Sequence, residues 1–462
     1  MTLYGDDSSI AALATPPGRG ALAVVRTSGK DAIDRLASCV SAPRKLKTAP
    51  GNTIVYGWIL GKNRSRIDET VISVYRAPKS YTGEDAADIS CHGGYAVVHA
   101  VMETLHNAGF RDALPGEFTF RAFMNNKIDL TRAESVMEIV SAQTGRAHTS
   151  AVRRLSGDLE AEIRAIKEKL VQVLAGAELF LDYSEDEYME TNANEHAGSL
   201  PDQALAREVR AALQHLADSF HIEKLYQEGA RAVIAGRPNA GKSSLFNRLV
   251  KEDRAIVTET PGTTRDWLEA RIAVEGIPVR LADTAGIRDS GDAVEKIGVE
   301  RSLELITCAD VILYIVDGTT GLTAEDTQFL HSGAFHGAPL IMVWNKADCA
   351  REMPENHAGM VRVSAKTGEG IATLCARIAE TLVADHDAHD ERVGVASTRQ
   401  KTLIDKALAC TADALALADA GQALDIIAPS LREAVNCLGE ITGEVSTADI
   451  LDVMFGSFCV GK

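Results

Sequence analysis

The stretch Ala232-Val233-Ile234-Ala235-Gly236-Arg237-Pro238-Asn239-Ala240-Gly241-Lys242-Ser243-Ser244 decides how the centre of this chain folds. Ala232 to Ala235 is an apolar run short enough for a buried strand, residues 236–241 carry glycine at both ends, and Ser244 to Val250 reads as a helix. Strand, glycine-rich loop and helix in that order build a phosphate cradle. Backbone N–H groups of the loop and of the helix N-terminus converge on anionic oxygens, Lys242 reaches the β and γ oxygens, and the Ser243 hydroxyl is a Mg²⁺ ligand. The nucleotide-contacting set here is Asn239, Ala240, Gly241, Lys242, Ser243 and Ser244.

Four more pieces follow in order. The apolar run Val279 to Ala282 ends in Asp283-Thr284-Ala285-Gly286, which puts a carboxylate at the carboxyl end of a strand, where it holds Mg²⁺ through water while Gly286 approaches the γ-phosphate. Val311 to Val316 reads as another buried strand. Leu340 to Trp344 leads into Asn345-Lys346-Ala347-Asp348, whose Asp348 can accept two hydrogen bonds from the N1–H and N2–H₂ edge of guanine; adenine has no matching donors. Ser364-Ala365-Lys366 comes after a further short strand and offers a backbone N–H to the guanine O6. Ordered loops at successive strand ends imply a doubly wound, Ras-like α/β sheet with GTP at the strand C-termini.

Two details bear on hydrolysis. Ras-type proteins carry a water-orienting Gln directly after DxxG, whereas Ile287 stands there in this chain, so another group must position the attacking water. Asp289, Asp292 and Glu295 are the nearby carboxylates, and the residues alone leave the choice among them open. Asn239, two residues before Gly241, offers a side-chain oxygen to a monovalent cation beside the phosphates, which would supply the charge that an arginine finger supplies elsewhere. The segment Thr258-Glu259-Thr260-Pro261-Gly262-Thr263-Thr264-Arg265-Asp266 is then the first switch, with Thr264 as second Mg²⁺ ligand; Arg265 as a finger competes with the cation reading.

Outward from this centre, 462 residues exceed what one hydrophobic core organises and imply two to four domains. No apolar run approaches the ~18 residues that span a bilayer, and Met1 to Ser9 has neither a secretory nor a transit-peptide pattern, so a cytoplasmic location with no membrane association is the expectation. Eight cysteines without a CxxC pair argue against a disulfide framework or structural zinc. A net charge of −17 repels phosphate backbones on average, so nucleic acid must be held by a local basic patch or by a partner.

Residues 3–125 alternate short β-type runs (Ala21 to Val25, Thr53 to Ile59, Val71 to Tyr75) with turns and one helix near Tyr95 to Leu105, an α+β pattern. Between 150 and 181, Leu155, Leu159, Ile163, Ile166, Leu170, Val173 and Ala177 predict one long amphipathic helix; Leu205 to Phe220 predicts a second, stopped by Gly229. The acidic run Asp182 to Glu195 reads as a solvated loop. Helical period returns at Leu424 to Leu438 and from Ser446 to Phe455, so helices flank the nucleotide domain and are expected to pack together as one all-α bundle interrupted by it.

With these motifs in hand, the chain resembles the MnmE/TrmE family of tRNA-modification GTPases. The resemblance covers the whole chain, through Thr15-Pro16-Pro17-Gly18-Arg19-Gly20, Tyr81-Thr82-Gly83-Glu84-Asp85, His92-Gly93-Gly94, Pro115-Gly116-Glu117-Phe118, Gly262 to Asp266 and the tail Phe458-Cys459-Val460-Gly461-Lys462, where Val460 replaces the family's usual Ile. It implies an N-terminal tetrahydrofolate-binding and dimerisation domain over 1–125, a discontinuous helical domain over 126–228 and 386–462, and an inserted GTPase domain over 229–385. It further implies activation by K⁺, with Asn239 and backbone oxygens of Thr258, Thr260 and Thr263 as its ligands, and Glu295 as the water-orienting residue. Arg26, Glu84, Lys127 and Lys462 fall on positions that the family uses for 5-formyl-tetrahydrofolate; read from the residues alone they are surface charges. Cys459 matches a cysteine found in similar proteins, as a participant in the modification or as a structural thiol. The implied partners are a second copy, forming a homodimer, an FAD-containing MnmG-like protein in a heterotetramer, and tRNA held largely by that partner.

Overall fold

The computed structural model describes residues 4–182, 200–252, 269–283, 306–331, 337–349, 359–384, 393–445 and 448–462. They form two compact units, one of Met1–Met137, Leu155–Ala193 and Ala423–Lys462, the other of Glu138–Arg154 and Asn194–Gln422.

The first unit is built on a six-stranded sheet of β1 (Ile10–Leu13), β2 (Leu22–Ser28), β3 (Thr53–Leu60), β4 (Arg66–Tyr75), β5 (Ala86–His92) and β6 (Arg111–Asp112), in the order β3-β4-β5-β2-β1-β6. Its pairs are antiparallel except β1 with β6. On β4 the inward positions Asp68, Thr70, Ile72 and Val74 are buried while Glu69 and Val71 are exposed, the period of two that gives a strand one core face. That face packs Val25, Ile72, Val74 and Ile89 against Ile33 and Leu36 of the helix Ala32–Ser38 and Val101 and Leu105 of the helix Tyr95–Asn107. Three helices absent from the sequence reading, Ala32–Ser38, Pro43–Thr48 and Glu117–Met124, have at most eight residues, too few to display a helical period.

In the same unit the helix Asp158–Asp182 packs along Leu424–Thr442. The single helix expected from 150 to 181 is two, Gly145–Ser156 and Asp158–Asp182, so Leu155 belongs to the earlier one. Gly157 makes the break: its φ of +98° is strained for any L side chain, and a Cβ there would collide with the Arg132 guanidinium. The C-terminal helix Ala448–Gly456 closes the unit through an aromatic cluster, Phe455 lying 5.4 Å from Phe120 and 5.4 Å from Phe458 between ring centroids.

The second unit carries β7 (Ala230–Gly236), β8 (Glu269–Val274), β9 (Ile277–Asp283), β10 (Val311–Asp317), β11 (Leu340–Asn345) and β12 (Val361–Arg362), in the order β12-β11-β10-β7-β9-β8. Every pair is parallel except β8 with β9. β10 is buried on both faces: Leu313 and Ile315 meet the helices Lys242–Glu252 and Ile371–Val383, while Ile312, Tyr314 and Val316 meet the helix Ala324–His331. Double burial is why β7, β10 and β11 read as continuous apolar runs.

The helix Gln203–Glu228 leads into β7 and packs along Thr398–Asp419 after the sheet. The sequence reading missed Thr398–Asp419 because its buried face, with Gln400, Ala407, Thr411, Ala414 and Ala418, is built largely from small or polar residues. Entry and exit lie side by side. Ser219 Oγ accepts from Val395 N–H at 3.1 Å, and the buried Arg154 donates to Glu138 at 2.6 Å, Glu223 at 2.7 Å and the Gly394 carbonyl at 3.2 Å. A domain whose ends meet in this way can be inserted into another without distorting it. No described helix is long and apolar enough to cross a membrane.

Candidate guanine-nucleotide site

β7 ends at the point where strand order reverses between its neighbours β9 and β10, the place where a doubly wound sheet opens a crevice. The loop that leaves it needs unusual backbone. Gly236 has φ +140° and a Cβ would come within 2.5 Å of the Ile315 carbonyl; Gly241 has φ +99° and a Cβ would collide with Asn345 Nδ2. Asn239, exposed at the loop's tip, has φ +63°. Lys242 is 8% exposed, and its Nζ donates to the Gly236 and Arg237 carbonyls at 2.9 and 2.8 Å, so the ammonium sits inside the curl of the loop.

Ser243, the second residue of the following helix, donates its hydroxyl to Asp283 Oδ2 at 2.9 Å at the end of β9. Hydroxyl and carboxylate oxygens brought together at a strand terminus suit a hard cation such as Mg²⁺. Ser243 would ligate it directly and Asp283, 4% exposed, would hold it from behind.

Two loops at the ends of β11 and β12 complete the site. Asn345 ties two loops together: its Nδ2 donates to the Ala240 carbonyl at 2.9 Å and its Oδ1 accepts from Ala365 N–H at 3.1 Å, joining the phosphate loop to the Ser364-Ala365-Lys366 loop. Lys346, at φ +63°, pairs with Asp317 at 2.7 Å. Asp348 is exposed and accepts the Ser364 hydroxyl at 2.7 Å; that hydroxyl, with the Cys349 thiol, holds its carboxyl below the usual carboxylate range, so at neutral pH it presents an oriented anion. The exposed Lys366 stands at the rim, where its carbonyl and that of Ala365 are held by Arg248 from the phosphate-loop helix.

The sequence reading missed Arg237 and Asp326. Arg237 donates through Nε to Asp326 Oδ1 at 3.0 Å and through Nη2 to Thr320 Oγ1 at 3.1 Å. Asp326, fully buried, also accepts from Tyr314 and Thr323. Burial works against its charge, but these donors and the Arg237 charge outweigh it and hold its carboxyl below the usual range. Eighty-nine residues separate the pair in sequence, so no local motif announces it. Arg237→Ala is expected to cost about 3 kcal/mol of folding stability in denaturant unfolding, because it leaves a buried carboxylate without its cation. Arg237→Lys should recover only part of this, since a point charge cannot serve both Asp326 and Thr320.

Thr258, Thr260, Thr263, Thr264 and Arg265 of the first switch, Thr284, Ala285 and Gly286 after β9, and Asp289, Asp292 and Glu295 lie outside the described residues.

In the first unit the tail docks beside β2. Phe118 N–H donates to the Lys462 carbonyl at 3.2 Å, Gly116 N–H to the Cys459 carbonyl at 3.4 Å, and Arg26 Nη1 to the Gly461 carbonyl at 3.2 Å. Arg26 also pairs with Asp88 at 3.1 Å. Ser28, two residues along β2, donates to Glu84 at 2.8 Å, and Glu84 pairs with Arg121 at 2.9 Å. Lys127 is exposed, its Nζ bonded to the Pro78 carbonyl at 2.9 Å in the segment leading to Glu84. The fold thus links Arg26 to the tail that carries Lys462 and the exposed Cys459, and places Glu84 next to Arg26 through Ser28.

The second unit's strand order, phosphate loop and base-facing carboxylate define a P-loop protein of the guanine-nucleotide-binding class. Comparison with known proteins sharpens this. Residues 9–127 match the model described as GTP-binding protein TrmE N-terminus, and residues 130–459 match the MnmE helical domain. The chain is 44% identical to the tRNA modification GTPase MnmE of Treponema denticola over 99% of both chains. It is 39% identical to that of Borreliella burgdorferi strain ZS7, over 99% of this chain and 98% of the relative, and to that of Carboxydothermus hydrogenoformans, over 99% and 100%. The chain belongs to the MnmE/TrmE family of tRNA modification GTPases.

Proposed function

We propose that this protein hydrolyses GTP to drive a conformational cycle in which, with an FAD-dependent MnmG-like partner, it forms 5-aminomethyl or 5-carboxymethylaminomethyl uridine at the tRNA wobble position. The observation that carries the nucleotide part is the joining of three loops: Asp348 is oriented by Ser364, and Asn345 fastens both to the phosphate loop. Base recognition and phosphate grip are therefore one rigid constellation. Lys242 and the loop N–H groups bind the phosphates, and Ser243 with Asp283 would hold Mg²⁺, which neutralises charge between the β- and γ-phosphates when bound. Membership of the family supports the tRNA part.

K⁺ at Asn239, with backbone oxygens of Thr258, Thr260 and Thr263, completes the charge that a finger arginine supplies in other switches, and Glu295 orients the water. Association of two copies fits this reading. A tetrahydrofolate beside Arg26, Glu84, Lys127 and Lys462 would be the one-carbon source, and the chain works in the cytoplasm. Hydrolysis should be at least ~10-fold faster in KCl than in NaCl at equal ionic strength, from the worth of a charge placed at the transition state; equal rates remove the cation from the mechanism. The whole reading is tested by nucleoside mass spectrometry of tRNA from a deletion strain, where loss of the modified wobble uridine is expected and an unchanged profile would overturn it.

A further inference from the structure

The chain carries a net −17, yet residues 43–66 hold six basic side chains, Arg44, Lys45, Lys47, Lys62, Arg64 and Arg66, and no Asp or Glu, a local charge of +6. All six are exposed. The fold draws the two ends of this segment to one border of the N-terminal sheet. β3 is the edge strand, and the chain entering the helix Pro43–Thr48 runs beside it: Val40 bridges Ile59, Leu60 N–H donates to the Cys39 carbonyl at 2.8 Å, and Ser41 N–H donates to the Trp58 carbonyl at 2.9 Å. Arg44 and Lys45 therefore start a helix beside the middle of β3 that runs toward the Thr53 end, where Arg76 holds the Leu46 and Lys47 carbonyls, and Lys62, Arg64 and Arg66 come round the β3–β4 connection at the Leu60 end, so the basic residues are spread along this one edge.

On the outward face the Arg66 guanidinium lies 4.8 Å over the Trp58 ring, and Tyr56, the next outward residue of β3, is 56% exposed. The acids at the rim are few. Asp34 takes Lys47 at 3.0 Å, Glu103 stands 3.9 Å from Lys62, and Glu69 accepts the Tyr56 hydroxyl. Arg44, Lys45, Arg64 and Arg66 have no acidic partner among the described residues. Cationic side chains also discourage edge strands from pairing, but residues 39–41 already cover this end of β3, and edge protection calls for no arginine stacked on an indole. Unpaired guanidinium and ammonium groups beside the exposed Tyr56 ring and the half-buried Trp58 ring match the two parts of a folded RNA that a protein can hold, phosphates and an unpaired base.

We propose that this border of the N-terminal sheet binds tRNA directly, with Arg44, Lys45, Arg64 and Arg66 on the sugar–phosphate backbone and Trp58 with Tyr56 stacking an unpaired base. The choice of tRNA as the RNA rests on the proposed function. Fluorescence anisotropy of the full chain with a tRNA transcript that has uridine at the wobble position tests the surface without any modification step. An unchanged nucleoside profile in a deletion strain would sink the modification reading and leave this measurement standing.

The variant Arg64→Ala/Arg66→Ala should bind about tenfold more weakly near ~0.1 M salt, with the slope of log affinity against log salt smaller by about 1.5. Arg207→Ala/Lys401→Ala removes the same charge from the surface of the other unit and should bind as the parent does. Trp58→Ala should weaken binding several-fold, on the order of a lost stacking contact, with the slope unchanged. GTP hydrolysis without RNA should be the same in all of them. Equal losses in the two double variants, or unchanged binding in Arg64→Ala/Arg66→Ala, would overturn the proposal; unchanged binding with a fall in sedimentation coefficient would make the face a contact between copies. If Arg64→Ala/Arg66→Ala does not fold, Arg44→Ala/Lys45→Ala carries the same expectation.

Discussion

Asp348→Asn is expected to weaken GTP binding by about a thousandfold while raising affinity for xanthine nucleotides. The carboxylate is an oriented anion, one oxygen receiving the Ser364 hydroxyl at 2.7 Å and the group as a whole held ionised by that bond and the Cys349 thiol. In the proposed site its acceptors would meet the two donors on the guanine edge. Asparagine replaces one acceptor with an NH₂ group, so a donor meets the guanine N2–H₂, and both are left without a partner; xanthine, with a carbonyl at C2, supplies the missing acceptor. A buried site built to hydrogen-bond one edge rejects the mismatched edge by about four to five orders of magnitude, and roughly a thousandfold is expected here because Asp348 is exposed. Titration with fluorescent GDP and XDP reads both arms. Unchanged GDP affinity would remove Asp348 from base recognition.

Lys242→Ala has the second large effect, and it has two parts. With GTP bound, the variant lacks the cation nearest the β/γ oxygens, and hydrolysis should fall by roughly 10²- to 10³-fold, the loss seen when one preorganised charge-stabilising donor is removed. Without GTP, the Gly236 and Arg237 carbonyls lose the donor that now satisfies them at 2.9 and 2.8 Å, which should cost about 1–2 kcal/mol of stability. Excess nucleotide should not restore the rate, whereas the melting temperature should drop only slightly. A variant that hydrolyses GTP normally would show that the ammonium only braces the loop.

Much of the nucleotide site was legible because its chemistry is local. Gly236 and Asp283 end strands, Lys242 and Ser243 open the helix after the phosphate loop, and Asp348 lies three residues past β11, and each apolar run that precedes them is recognisable without knowing its neighbours in the sheet. Asn345 shows the limit of that reading: the motif places it among the nucleotide contacts but does not disclose that both ends of its amide also join loops. Arg248 is a similar case, an ordinary helix charge until its guanidinium reaches the Ala365 and Lys366 carbonyls across the sheet. The break at Gly157 escaped because the apolar stripe runs on through it, and only the folded backbone, with φ at +98° and Arg132 packed beside it, makes the position intolerant of a side chain.

The N-terminal unit divides in the same way. Arg26, Glu84, Lys127 and Lys462 could be listed from a family likeness, but nothing in their spacing says that the last residues of the chain return to β2. Phe455, Phe458 and Gly116 bring the tail there by packing, since burying aromatic surface pulls distant segments together without regard to chain distance. Strand, loop and helix identities, and with them the kind of nucleotide bound, were set by short-range periodicity and backbone chemistry. The partners of Arg237, the bridging role of Asn345, the docking of the tail and the placing of Arg44 and Arg66 along one sheet edge came from strand order and long-range packing, which bring together residues that no local pattern relates.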